Sequence, residues 1–427
     1  MPNVINVFLH DRFIGTITNL PSDHNVFAFS DDYANDPAAP TLSLGFLNAE
    51  RKLSLPVRTP HVRLLPFFSN LLSEGHLRAY LARRARVNPA RDFPLLWLTG
   101  EDLPGAVRAS HAEGLTTPPD DADIIAAARG EDDPGLLKFS LAGVQLKFSA
   151  VLEAHGGLTI PVHGLHGRWI LKLPSATYPR VPENEHAMLR FAARVGIDVP
   201  EHRLVDAASV RNLPDEVRTD LGLAISVKRF DRDGGERIHI EDFNQIFAQY
   251  PADKYKNVSY GNMLSGIWNV LGEADTREFV RRLVFNVAIG NGDMHLKNWS
   301  VIYRDRRTPA LAPAYDYVST IVYIPGDTLA LSIAGSKEWS DVSEDSLERF
   351  ARRAGVPRGV VLAPARDMAQ RIRAEWPALK DDLELDPVLV ERLDAHMATV
   401  PLLAGRTAHH SVVPRQRRAQ IAQPEIM

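Results

Sequence analysis

The chain has 427 residues, 45% of them hydrophobic and 24% charged, which is enough apolar material for a substantial core and a length that favours two or more subdomains. A net charge of -4 and a pI near 6.4 exclude a global basic field, so nucleic-acid contact would need a local patch. The absence of cysteine excludes disulfides, thiolate metal sites and cysteine nucleophiles, leaving oxygen and nitrogen groups to carry any chemistry.

In chain order, His10, Asp11 and Arg12 interrupt the first apolar run too early for a secretory leader. No later run approaches the roughly 20 apolar residues of a membrane span, so the expectation is a cytoplasmic protein with no membrane partner. The segments VINVFLH, FIGTITNL and NVFAFS alternate apolar and polar residues around short turns, which predicts an antiparallel β meander. Helical spacing follows from Leu72 to Ala85, and PLLWLTGEDLPGAV closes this region with Gly and Pro punctuation. From about Ser110 to Gly135 the chain is acidic, carries Pro118, Pro119 and Pro134, and reads as a linker.

Short strands are predicted next, at LLKFSLA, QLKFSAVLE and RWILKLP. In ENEHAMLRFAARVG, Met188, Phe191, Ala192 and Val195 share one helical face, and Gly196 supplies a stop. After a further strand, LAISVKRFDR, helices dominate. One is TREFVRRLVFNVAIG, with Thr276 as its expected N-cap, and more follow from about Ser343 to Ala404. The pattern divides the chain into a β-rich region over 1–110, a linker over 111–135, a strand-rich lobe over 136–235, a helical lobe over 236–405 and a basic tail over 406–427.

The strongest chemical signal is GNGDMHLKNWS at 290–300, followed by PAYDYVS at 313–319. Asp293 and Asn298 lie five apart, with Asp316 eighteen further on. Phosphoryl transfer needs a carboxylate beside the acceptor hydroxyl and oxygen ligands on the Mg²⁺ that bridges the ATP phosphates, and this arrangement supplies both. The HRD and DFG signatures of ordinary protein kinases are absent, and a Gly-Asn-Gly-Asp turn can also be plain loop chemistry with Asp293 capping and Asn298 satisfying backbone. His295 and Lys297 add cations that could meet a transferring phosphate.

Upstream, Lys172 stands on an apolar strand ahead of a helix bearing Glu183 and Glu185, either of which could orient a phosphate-binding lysine. Between two predicted strands, SLAGVQLK at 140–147 could lay backbone N–H groups over phosphates, although its single glycine makes it neither a Walker loop nor GxGxxG.

At these residues the chain resembles the HipA family of serine/threonine kinases, the toxins of bacterial toxin–antitoxin pairs. The resemblance runs through FFSNLLSEGHLRAYLA, LLWLTGEDLPGAV, FSLAGVQLKFS, WILKLP, ENEHAMLRFAARVGI, VKRFDR, EDFNQIFAQYPADKY, NGDMHLKNWS and APAYDYVS. It implies a two-lobed α/β protein-kinase-like fold with a β-rich N-terminal subdomain and a helical C-terminal lobe.

It further implies that Asp293 accepts the proton, Lys172 contacts ATP, and Asn298 and Asp316 bind Mg²⁺. Nucleotide contacts would come from Leu141, Ala142, Gly143, Val144, Gln145 and Lys147, from Lys228, Arg229 and Phe230 at the hinge, and from His295 to Asn298 and Tyr315. Ser140 matches the serine that such kinases autophosphorylate to switch themselves off. The implied partners are a protein substrate, such as an aminoacyl-tRNA synthetase or another translation component, and a helix-turn-helix antitoxin of HipB type, with DNA contacted only through it. Leu146 and Phe148 are the weakest matches, and Tyr317 and Val318 replace the Phe-Gly of ordinary kinases. Two rival readings are a kinase of a small molecule or lipid head group and a non-catalytic corepressor that binds an antitoxin.

Overall fold

The computed structural model of the protein describes residues 3–54, 61–111, 147–152, 158–159, 167–175, 177–213, 222–383 and 385–404. The expected strand over 136–142, Ser140, the loop Leu141 to Gln145, the acidic stretch over 112–135 and the tail over 406–427 lie outside these residues.

The opening meander forms as β1 (Asn3–Leu9), β2 (Arg12–Leu20) and β3 (His24–Phe29). β4 (Val107–His111) pairs with the free side of β1, giving an antiparallel sheet in the order β3-β2-β1-β4. Alternation dictates its buried face, where Ile5, Val7, Leu9 and Ile17 enter a core shared with Phe67, Phe68 and Phe93. That core is closed by α1 (Pro66–Asn70), α2 (Gly75–Ala85) and α3 (Asp92–Thr99). The helix expected from Leu72 therefore starts three residues later, and most of PLLWLTG is helical. Pro94 is compatible with α3 because it falls in the first turn, where backbone N–H groups have no intrahelical acceptor.

The second lobe is an antiparallel sheet in the order β6-β5-β7-β9-β8. Its strands are β5 (Lys147–Leu152), β6 (Leu158–Thr159), β7 (Trp169–Lys172), β8 (His202–Asp206) and β9 (Leu223–Lys228). The register sets Lys147 opposite Lys172, and Lys172 opposite Ile225. α4 (Val181–Arg194) buries Ala187, Met188, Phe191 and Ala192, and Gly196, at φ +88°, turns the chain out of the helix.

A short hairpin of β10 (Arg232–Asp233) and β11 (Glu236–Arg237) leads to β12 (His239–Asp242), which pairs with β13 (Ser300–Tyr303) and through it β14 (Ala310–Leu311). Helices then build the third lobe. They are α5 (Phe243–Ile246), α6 (Tyr260–Val270), α7 (Glu273–Ala288), α8 (Glu344–Ala354), α9 (Arg358–Asp382) and α10 (Pro387–Thr399). Thr276 is not the N-cap of α7. It sits inside the first turn and donates its hydroxyl back to the Gly272 carbonyl at 2.6 Å. One continuous core joins α4 to these helices through Phe191, Phe279, Phe285, Phe350 and Trp376. No helix among the described residues is long and apolar enough to cross a membrane.

The N-terminal region is stitched to the helical lobe by buried polar contacts. Glu241 on β12 accepts from Ser43 Oγ at 2.5 Å, from the Leu44 N–H at 2.9 Å and from the Tyr303 hydroxyl. With no cation beside it among the described residues, burial pushes its carboxyl up to about 7. Alongside, Arg229 and Arg232 share Asp102 and Asp231 in a buried ion cluster.

Candidate active site

Three segments converge where the lobes meet. β7 brings Lys172, α4 brings Glu185, and the stretch after β14 brings Asp316. Lys172 is 5% exposed, and its ammonium is ion-paired to both carboxylates. Burial alone would favour a neutral amine, but Asp316 and Glu185 outweigh it, so the group is held firmly protonated. The open choice between the two glutamates resolves in favour of Glu185, because Glu183 faces outward to Arg180 at 3.5 Å.

Asp316 sits at φ +61°, a left-handed conformation that Asp tolerates better than most residues. Its neighbours fix it there. The Tyr315 hydroxyl donates to the Lys297 carbonyl at 2.9 Å. Three residues on, the Ser319 backbone is held by the Asn184 side chain, which donates to its carbonyl and accepts from its N–H, both at 3.0 Å. Asn184 precedes Glu185, so one turn of α4 positions the lysine partner and the Asp316 segment together.

The 290–298 loop leaves α7 at Gly290, whose φ of +60° redirects the chain. A Cβ at Gly292 would displace the Asp327 carboxylate, and the Gly292 N–H donates to Thr320 Oγ at 2.7 Å, so the two segments approach closely here. Asn291 braces the turn, accepting from the Asp293 N–H at 3.1 Å and donating to Asn286 at 2.9 Å. Asn298 Nδ2 donates to the Asp293 carbonyl at 2.9 Å, which ties the two ends of the loop together. The Asp293 side chain is 54% exposed and accepts a hydrogen bond from the Tyr255 hydroxyl.

The expected cations of this loop have other settings. His295 lies edge-on to the Tyr255 ring at 4.8 Å, and burial, then Lys254, lowers its pKa to about 3, so the imidazole is neutral. Lys297 points toward the N-terminal region, donating to the Asn70 carbonyl at 3.1 Å and pairing with Glu74 at 2.5 Å. At the hinge, Lys228 is exposed and pairs with Glu201 at 3.2 Å, whereas the Arg229 guanidinium is committed to the buried cluster with Asp231 and Asp102. Only Phe230 of that trio turns toward the Asp316 segment, its ring 5.6 Å from Tyr315. Of the candidate nucleotide loop, Lys147 is described, and only as a strand position on β5.

Sequence reasoning gave no role to Tyr255 or Glu74, although both fall within segments quoted for the resemblance. Their partners lie 38 and 223 residues away along the chain, beyond any local pattern. Among the described residues, no group of three or more His, Cys, Asp or Glu side chains forms a self-sufficient metal cluster.

A strand-rich lobe and a helical lobe with a lysine–carboxylate pair between them, beside the β-rich N-terminal region, define a kinase-like class of fold, and likeness to known proteins refines it. Residues 139–376 match the HipA-like C-terminal domain and residues 5–110 the HipA N-terminal domain. The chain belongs to the HipA family. It is 47% identical over 403 residues to the protein named "Putative kinase Y4dM" of Sinorhizobium fredii, covering 93% of this chain and 97% of that one. It is 24% identical over 412 residues to the Serine/threonine-protein kinase toxin HipA of Shewanella oneidensis, covering 86% of this chain and 87% of that one. A solved structure of Shewanella oneidensis HipA with HipB and its operator DNA shares the fold at a TM-score of 0.69 and 21% identity, covering 94% of this chain and 96% of that one.

Proposed function

We propose that the chain is an ATP-dependent serine/threonine protein kinase, the toxin of a HipA-type toxin–antitoxin pair. The observation that supports this most is Lys172, buried between Glu185 and Asp316 with the exposed Asp293 carboxylate on the adjoining loop. Catalysis here is positioning and charge stabilisation. Lys172 binds the nucleotide phosphates and Glu185 fixes its direction. Asp316 and Asn298 would hold Mg²⁺ through oxygen donors of the hard kind it takes, and the ion would supply charge stabilisation for the transferring phosphoryl group. Mg-ATP supplies the electrophilic γ-phosphoryl group. Asp293 orients the acceptor serine or threonine hydroxyl and takes its proton. Phe230 and Tyr315 border the base, and the segment over 141–147 would contribute nucleotide contacts.

The same reading makes Ser140 an inhibitory autophosphorylation site, since about two added negative charges beside the nucleotide phosphates would repel them. It also gives the protein a cytoplasmic setting, a helix-turn-helix antitoxin of HipB type, and DNA contact only through that partner. The protein substrate would be an aminoacyl-tRNA synthetase or another translation component. The antitoxin assignment is supported by the Shewanella oneidensis relative, which was solved as a complex of HipA, HipB and operator DNA.

The test is incubation of the purified chain with labelled ATP, Mg²⁺ and host lysate, followed by mass spectrometry. Label is expected on serine or threonine of a lysate protein, and one phosphate on Ser140 of the chain itself. Label confined to a small molecule or lipid would replace this reading with the rival kinase, and no transfer at all would leave the corepressor.

A further inference from the structure

The charge that the sequence offered to the phosphates at Lys297 is turned instead onto the N-terminal region, and this changes what that region does. Glu74 lies just ahead of α2. One of its oxygens meets Lys297 Nζ at 2.5 Å and the other meets Lys254 Nζ at 3.1 Å. Burial pushes the Glu74 carboxyl up, but the two ammonium groups outweigh it and hold it below its ordinary range. Both lysines adjoin the proposed chemistry. Lys297 precedes the Mg²⁺ ligand Asn298. Lys254 precedes Tyr255, and its carbonyl accepts from the Leu296 N–H at 3.3 Å, so the 251–258 segment is laid against the 290–298 loop.

Tyr255 completes the connection, donating its hydroxyl to Asp293 while its ring packs against His295. Burial and then the Asp293 carboxylate push the Tyr255 phenol up, which keeps it a donor. Around Glu74 the seam is tightened by Asn70, which accepts from Asn244 at 2.9 Å and donates to the Gln249 carbonyl at 2.8 Å.

We propose that Glu74 is a positioning residue of the active site supplied by the N-terminal region. By clamping Lys254 and Lys297 together it sets Tyr255 on Asp293 and Asn298 at its station, so the N-terminal region is part of the catalytic apparatus rather than an appended module. The inference rests on the kinase reading for its consequence but not for its geometry. A small displacement of a positioned group can cost as much as about a hundredfold in rate, so removing the clamp should be visible in turnover without removing any group that touches substrate.

The experiment compares the full-length parent with Glu74→Gln and Lys297→Gln by hydrogen exchange of the 291–298 amides, thermal unfolding and phosphotransfer kinetics. Both variants should exchange faster in that loop at an almost unchanged melting temperature. Turnover should fall about tenfold or more while KM for ATP holds, and the double variant should be no worse than the single ones. Glu74→Asp, which keeps the charge, should recover part of the loss. Unchanged loop exchange in both variants overturns the clamp whatever the kinetics show, as does a loss carried by KM for ATP alone. A parent without phosphotransfer would remove the kinase reading, and the exchange measurement would still decide the clamp.

Discussion

Two buried glutamates show how the same side chain takes opposite parts in one molecule. Glu185 on α4 meets the Lys172 ammonium, and Glu241 on β12 meets two hydroxyls and one backbone N–H. Both are almost wholly inaccessible, at 1% and 0% exposure, so solvent does not distinguish them. The partners do. A cation makes Glu185 half of an ion pair with Lys172, while neutral donors leave Glu241, pushed up to about 7, as a fastener between the N-terminal region and the helical lobe.

Breaking the first arrangement should have the largest effect. Lys172→Met deletes the charge proposed to bind phosphate and leaves two carboxylates facing an apolar side chain. Phosphotransfer should fall about a hundredfold or more, and unfolding free energy should drop by about 3–5 kcal/mol because a buried pair has lost one partner. Kinetics alongside denaturant titration separates the two losses. A variant that kept parental turnover would place the phosphate contact elsewhere.

The second arrangement predicts a pH signature. Because the folded-state pKa of Glu241 is raised from 4.5 to about 7, its contribution is fully present below pH 4.5 and is lost as pH rises through about 7. The amount at stake is about 3 kcal/mol, since each tenfold change in proton affinity is worth about 1.4 kcal/mol. Glu241→Gln should remove that part of the slope, leaving the part from Asp242, whose buried carboxyl is also pushed up, to about 6, and should leave the protein as stable as the parent, or more so, at pH 8, since the amide can donate to Ser43 Oγ while still accepting from Leu44. Unfolding curves from pH 4.5 to 8 check this, and an unaltered slope in the variant would mean that the titrating group is another.

The smallest effect sharpens the contrast from outside. Glu183→Gln alters a carboxylate two residues from Glu185 that pairs with Arg180 at the surface, so stability should move by less than about 0.5 kcal/mol and turnover hardly at all. A large loss of turnover here would return the lysine-orienting role to Glu183.

How much of this was legible beforehand depended on whether the signal was local. Alternation in VINVFLH and FIGTITNL marked the meander, because a half-buried strand repeats every second residue. Helical spacing marked the buried face of α4, because Met188, Phe191 and Ala192 share one side. The proposed Asp293, Asn298 and Asp316 set was picked out by residue type and spacing, being carried on one loop and the segment after it. The choice between Glu183 and Glu185 was not, since it turns on which side of α4 faces β7. Lys297 misled because its partner Glu74 belongs to another region, and nothing near residue 297 hints at a carboxylate there. Thr276 misled for a local reason. A threonine ahead of an apolar run looks like a cap, yet α7 begins three residues earlier, after Gly272 at φ +91°.

The proposed function makes Asp293 the base of a phosphotransferase, and the most direct measurement of that role is the single-turnover rate of phosphoryl transfer by Asp293→Asn at saturating Mg-ATP. The amide preserves the shape of the loop and can still accept from Tyr255, but it cannot take the acceptor's proton. The rate should fall about a hundredfold or more while the affinity for ATP stays close to that of the parent. A near-parental rate would contradict the assignment.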